Sequence, residues 1–205
     1  RAAGEGRIAI ALSKDGRNAA IVEVRAETDF TAKNEKFTAA AEKIADIAIA
    51  KGHAGEITPT DEMNAPIEDL KISTGENISI ARIHKLEGGG DSMFGRYVHH
   101  DGKTGVLLHT TGSVSEDTAR SICLHIAGSP VRPRGVSKND IPAQYIEREV
   151  RLLREKMLEE GKNEQMIEKI VEGKKGAMYA EMALLEQPFV MDETKKVKDL
   201  LAGKG

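Results

Sequence analysis

Apolar residues alternate with small or polar ones from Ile8 through Ile10 to Leu12, and Ile21, Val22 and Val24 carry a second apolar run. The two stretches predict strands, and Asp15-Gly16 between them supplies the positive-φ residue that a hairpin turn favours. The period then lengthens. Phe37, Ala41, Ile44 and Ala48 step by four, three and four, which is one face of a helix, and Lys51-Gly52 marks its end. Residues 53–68 hold two prolines and several polar residues, so they read as loop with at most a short helix. Ile78, Ile80 and Ile83 predict a third strand with a slip of phase near Arg82, and Gly88-Gly89-Gly90-Asp91 predicts a flexible boundary.

Beyond that boundary the plan repeats. "GRYVHHDGKTGVLLHT" has an apolar strand, an Asp-Gly turn and a return strand, and Ala119, Ile122, Cys123 and Ile126 predict the inward face of a helix. Two strand–strand–helix units imply an α+β fold: two small subdomains, 1–88 and 89–205, each an antiparallel sheet packed on helices. The second carries an insertion. Pro142 suits a helix start. Ile146, Val150, Leu153 and Met157 form one amphipathic stripe, Gly161 stops it, and Met166, Ile167, Ile170 and Val171 form another. This predicts a protruding antiparallel helical hairpin over about 140–178. Residues 179–185 read as a strand, 187–190 as a loop and 194–202 as a short last helix.

Composition narrows the class without naming a chemistry. The 205 residues are 40% hydrophobic and 31% charged, ordinary for a globular chain. Aromatics are 3% and tryptophan is absent, so the core is aliphatic. A net charge of -3 gives no overall positive field for phosphate backbones. The single cysteine, Cys123, forms no internal disulfide and suits a reducing compartment. No apolar run reaches the roughly 18 residues of a membrane helix, and residues 1–12 show no signal-peptide pattern.

Motifs for catalysis are missing. The glycine run 88–90 is followed by Asp91, not by the Lys-Ser/Thr of a phosphate loop, so no direct nucleotide binding is expected. His99 and His100 are adjacent, and on a strand they would point to opposite faces, with His109 a possible neighbour across the hairpin. No zinc spacing accompanies them, so no metal is expected. Cys123 sits among Ile122, Leu124 and Ile126 and reads as a buried small hydrophobe. Arg132, Arg134 and Lys138 make a basic loop, either solvated or in weak contact with phosphate. The expectation is a protein that is not an enzyme, holds no cofactor and acts through its surface.

One junction resists a purely structural account. In "ETDFTAKNEKF", Thr28 or Asp29 can cap a helix, and the Asp29 carboxylate favours the positive end of its dipole. Phe30, one of four phenylalanines, lies seven positions before Phe37, which by period alone puts it in the core. Lys33 and Asn34 interrupt that stripe, so the alternative is an exposed aromatic at a helix mouth, the pattern of a binding anchor.

This stretch closely resembles the Thr-Asp-Phe-Val-Ala-Lys-Asn signature of the elongation factor Ts family, with Thr31 where the family usually has Val. "TGENISIARIHKLEG", "IAGSPVRPRGVSKNDIP" and "VEGKKGAMYAEMALLEQPFVMDETKKVKDLL" resemble further family segments in order. The resemblance implies a guanine nucleotide exchange factor of translation elongation whose partner is the GTPase elongation factor Tu. It implies that Thr28, Asp29, Phe30, Thr31, Lys33 and Asn34 form the tip that reaches the partner's Mg²⁺ and phosphate site. Thr74 and Gly75 match a loop touching the same region, and His99 matches a histidine that engages another domain of the partner. The hairpin matches the family's coiled-coil arm. The chain is expected to lack the family's N-terminal module, which resembles a ubiquitin-associated domain, and its last strand. A bacterial cytoplasm or an organelle matrix is the expected location, with no membrane and no nucleic acid as partner. The rival reading is an RNA- or ribosome-associated binding protein without exchange activity.

Overall fold

A computed structural model describes residues 2–204 and divides into two compact units, one ending at Ala127 and also taking in Lys204, the other spanning Gly128–Gly203. The fold is α+β with antiparallel sheets, as the two periodicities predict.

In the first unit, β1 (Glu5–Leu12) and β2 (Asn18–Ala26) form a hairpin closed at Gly16, whose φ of 69° explains the glycine. β2 pairs on its other side with β4 (Ser79–Glu87), and the two-residue β3 (Gly55–Glu56) completes the order β1-β2-β4-β3. The predicted phase slip is a β-bulge: Glu23 faces Arg82 while Val24 faces Ile80, so Ala81 has no partner.

On β1 the small residues, not the large ones, face the helix. Ala9 and Ala11 are buried, while Ile8, Ile10 and Leu12 are only half-buried. The small residues lie in the same core cluster as α2 (Glu35–Lys51), whose Phe37, Ala41, Ile44 and Ala48 are fully buried as predicted. Alanine on both surfaces lets helix and sheet approach closely. The other sheet face meets the second hairpin, β5 (Ser92–Val98) and β6 (Gly105–Thr111). A Cβ at Gly105 would stand 2.3 Å from Ile8 Cγ2, so Ile8 packs where a larger residue would collide.

Residues expected to be mostly loop instead form α3 (Asp61–Thr74). Thr60 caps it, and Met63, Ile67 and Leu70 are buried at helical spacing. Pro66 falls inside, where it removes one bond to the Glu62 carbonyl, and the buried stripe outweighs that loss. α4 (Glu116–Gly128) lies against β5 so closely that a Cβ at Gly95 would come 2.9 Å from the Ala119 carbonyl oxygen. Its inward residues are Ala119, Ile122, Cys123 and, unforeseen, His125, while Ile126 is only half-buried.

In the second unit, α5 (Ala143–Glu159) and α6 (Glu164–Met182) form the antiparallel hairpin, turned at Gly161 with φ 77°. Two apolar clusters hold it, Ile146 with Met182 at one end and Met157 with Ile167 and Val171 at the other, and Arg154 pairs with Glu168 between the helices. α6 runs through residues 179–182, which correct the strand expected over 179–185; a 3₁₀ turn follows at Leu184–Glu186. A short apolar run carries no period of its own, and here it continues the helix. The expected loop at 187–190 contains β7 (Pro188–Phe189), paired with β8 (Asp192–Lys196), and the expected last helix is a 3₁₀ turn, Val197–Leu200. Glu186 receives hydrogen bonds from Lys196 and Lys198, which hold its carboxyl down to about 2.

Candidate functional site

Thr28–Asn34 folds as a separate turn. Thr28 is the N-cap of α1 (Asp29–Ala32): its Oγ1 accepts the Thr31 N–H at 3.3 Å. The helix breaks at Lys33. Asn34 then caps α2, with Oδ1 accepting the Lys36 N–H at 2.8 Å. Each polar residue that interrupts the stripe thus has a local task, and the period linking Phe30 to Phe37 does not pass through the break.

Phe30 is 85% exposed. The core alternative for this residue is therefore excluded. Beside it Asp29 accepts a hydrogen bond from Lys33 Nζ at 2.8 Å, and that ammonium holds the Asp29 carboxyl below the usual carboxylate range. The pair is solvent-exposed and contributes little to stability. Thr31 points inward and is buried, as is Ala32.

What fastens the turn is a residue that sequence reasoning missed as a site residue. Glu76 Oε1 accepts from Thr28 Oγ1 at 2.6 Å and Thr31 Oγ1 at 2.7 Å, and Oε2 accepts from the Glu27 and Thr28 N–H groups, both at 3.1 Å. Glu27 replies: its Oε1 accepts the Asn77 N–H at 3.0 Å. The Thr28 hydroxyl first, then Thr31 and the two N–H groups, hold the Glu76 carboxyl below its ordinary range despite some desolvation. Its signals in the sequence were an acidic residue directly after Thr74-Gly75 and its place in the segment "TGENISIARIHKLEG".

Glu76 also joins the tip to the Thr74–Gly75 loop, through its backbone. Gly75 ends α3 in the left-handed conformation, φ 70°, and its N–H reaches the Lys71 carbonyl at 2.8 Å. Thr74 Oγ1 accepts the Glu76 N–H at 3.2 Å. Thr28, Asp29, Phe30, Thr31, Lys33, Asn34, Thr74 and Gly75 are therefore one fastened cluster, assembled from segments some 45 residues apart.

His99 lies elsewhere in the chain, in the β5–β6 turn rather than on the strand. Its Nδ1 is 2.7 Å from Tyr97 Oη, and its ring centroid is 4.2 Å from that of His100, so the two rings do not point to opposite faces as expected for a strand. His109 pairs with Phe94 in the strand register, not with the turn histidines, and its Nε2 is 2.8 Å from Ser92 Oγ. The turn docks on β1, with the Ile8 N–H donating to Gly102 O at 2.8 Å and Lys103 Nζ 2.5 Å from Glu5 Oε2. Glu5 chiefly, with a smaller pull from Asp101 and Asp29, raises the Lys103 pKa.

Among the described residues no group of three or more His, Cys, Asp or Glu could hold a metal, and no helix is long and apolar enough to cross a membrane. In the basic loop, Arg134 stacks over the Tyr145 ring at 4.6 Å, which occupies one of its three cations. Burial pushes the Cys123 thiol up to about 12. We expect native protein to resist iodoacetamide at pH 8 and to be labelled rapidly once unfolded in guanidinium; brisk labelling of the native protein would contradict the packing of α4.

The family model described as Elongation factor TS matches residues 27–205. The elongation factor Ts of Thiobacillus denitrificans is 38% identical across all of this chain and 70% of its own length. That of Aquifex aeolicus is 36% identical, covering 98% of this chain and 74% of the relative. That of Nitratidesulfovibrio vulgaris is 35% identical, with 98% and 70% covered. The matched span opens at Glu27 and so contains the tip, Glu76 and His99.

Proposed function

The chain belongs to the elongation factor Ts family of translation elongation factors, and on that premise we propose that it is a guanine nucleotide exchange factor that speeds GDP release from elongation factor Tu. The observation that carries the reading is Phe30, 85% exposed on a turn held at both ends. Leaving a phenylalanine in water forgoes about 1.5–3 kcal/mol of burial. The fold could have hidden it and instead fastens the turn that displays it.

Phe30 inserts into an apolar gap between elements of the GTPase domain, close to where Mg²⁺ and the phosphates sit. Asp29 brings a carboxylate toward the magnesium surroundings, where added negative charge disfavours retention of the nucleotide phosphates. Thr74 and Gly75 follow the tip because Glu76 ties them to it, and His99 engages a different domain of the partner. No bond is made or broken in the nucleotide. The physics is linkage: a factor that binds the nucleotide-free GTPase more tightly than the GDP-bound form lowers GDP affinity by the same ratio. A wedge produces that difference only where its pocket is better formed once nucleotide and Mg²⁺ have left.

Stopped-flow release of a fluorescent GDP analogue from elongation factor Tu tests the reading directly. Catalytic amounts of this chain should accelerate release, with only weak dependence on ionic strength. No acceleration, or a steep fall with salt of the kind that phosphate contacts produce, would favour the RNA-binding alternative.

A further inference from the structure

Two large apolar residues are far more exposed than any other in the described chain. Phe30 is 85% exposed and Ile72 82%; the next, Leu158 and Met191, are at 56%. Single exposed hydrophobic residues are common and mean little. These two are not scattered. Ile72 lies on the last turn of α3, four residues before Glu76, and Phe30 directly precedes Thr31, whose hydroxyl is hydrogen-bonded to Glu76 at 2.7 Å. The residue whose carboxylate fastens the Phe30 turn therefore follows Ile72 by one short stretch of chain.

The helix itself gives no reason for Ile72. Its neighbours along that side of α3, at spacings of four, three and four, are Asp61, Ala65, Glu68 and then Ile72, and all are exposed. The buried stripe is Met63, Ile67 and Leu70, on the other side. A β-branched residue is also a slightly poor helix former at an exposed position. Ile72 adds nothing to the core and little to the helix.

We infer that Ile72 is a second apolar anchor for the same GTPase, seated beside the Phe30 contact and held in register with it by Glu76. The inference rests on the exchange-factor reading above, and it commits to the same occupant because Glu76, which fastens the Phe30 turn, lies only four residues beyond Ile72. Two prongs on a rigid mount oppose rotation of the wedge in its pocket. They also enlarge the water-excluding patch in which a single aromatic becomes a strong anchor.

The test measures binding to nucleotide-free elongation factor Tu and acceleration of GDP release for the unmodified chain and for Ile72→Ala, Ile72→Glu, Phe30→Ala and, as a control at an exposed site in the other unit, Leu158→Ala. Ile72→Ala should weaken binding about tenfold and Ile72→Glu more, with melting temperatures unchanged, while Leu158→Ala has no effect. Wild-type behaviour of both Ile72 variants alongside a clear Phe30→Ala defect would overturn this inference and leave the exchange reading intact. An unimpaired Phe30→Ala would overturn both.

Discussion

Phe30→Ala should lower stimulated GDP release on the order of 30-fold or more, the loss expected when an aromatic anchor worth at least about 2 kcal/mol is removed from the centre of a contact. The same variant should melt within about 1 °C of the unmodified chain. A residue that is 85% exposed has almost no contacts to lose, whereas a core Phe→Ala costs about 3–5 kcal/mol. Phe37→Ala, seven positions on and fully buried, is the matched control. It should cause a large drop in melting temperature, and the fraction still folded should retain exchange. The measurements are stopped-flow release and calorimetry on the same preparations. A Phe30 variant that exchanges normally would remove the wedge from the mechanism.

Glu76→Ala is expected to approach the Phe30→Ala loss, although Glu76 need not touch the partner. Its removal leaves the Thr28 and Thr31 hydroxyls and the Glu27 and Thr28 N–H groups without their acceptor, so the turn loses its fixed orientation. Glu76→Gln keeps one carbonyl oxygen and should fall between the unmodified chain and Glu76→Ala. A positioning role separates from general damage by amide exchange: protection should fall at Thr28 and Thr31 and persist in α2 and the sheet. The pH dependence has a definite sign. The folded-state pKa of Glu76 lies below the ordinary 4.5, so its contribution is complete above that value and is lost as pH falls through the folded pKa. Between pH 6 and 8 this group should add no pH dependence to exchange. A titration of tip protection in that range would point to another fastening.

The readable part of the fold was the part written locally. The first hairpin, the α2 stripe, the bulge near Arg82 and the two arm helices follow from period and turn chemistry within a dozen residues. Tertiary context decided the rest. α3 carries Met63, Ile67 and Leu70 at clear helical spacing, but Pro59 and Pro66 suggested a loop, and burial of that stripe outweighs the one bond that Pro66 removes. The facing of β1 could not be read because both sides of the strand are apolar. Which side receives the helix depends on the alanines opposite, not on the larger residues. At the site, the caps Thr28 and Asn34 were legible by residue type. Glu76 was not, since its partners lie 45 to 49 positions away.

The break at Lys33–Asn34 bears on how such a tip can change. Had α1 and α2 been one continuous helix, every alteration near Phe30 would propagate into the packing of Phe37 and Ile44. As built, the seven residues 28–34 begin at one cap and end at the next. They behave as a cassette with its own fasteners, free to vary at the exposed positions while Thr31 and Ala32, buried against the scaffold, stay the same. A foreign protein that offered a strand end, a helix start and one well-placed carboxylate could in principle accept it by transplantation.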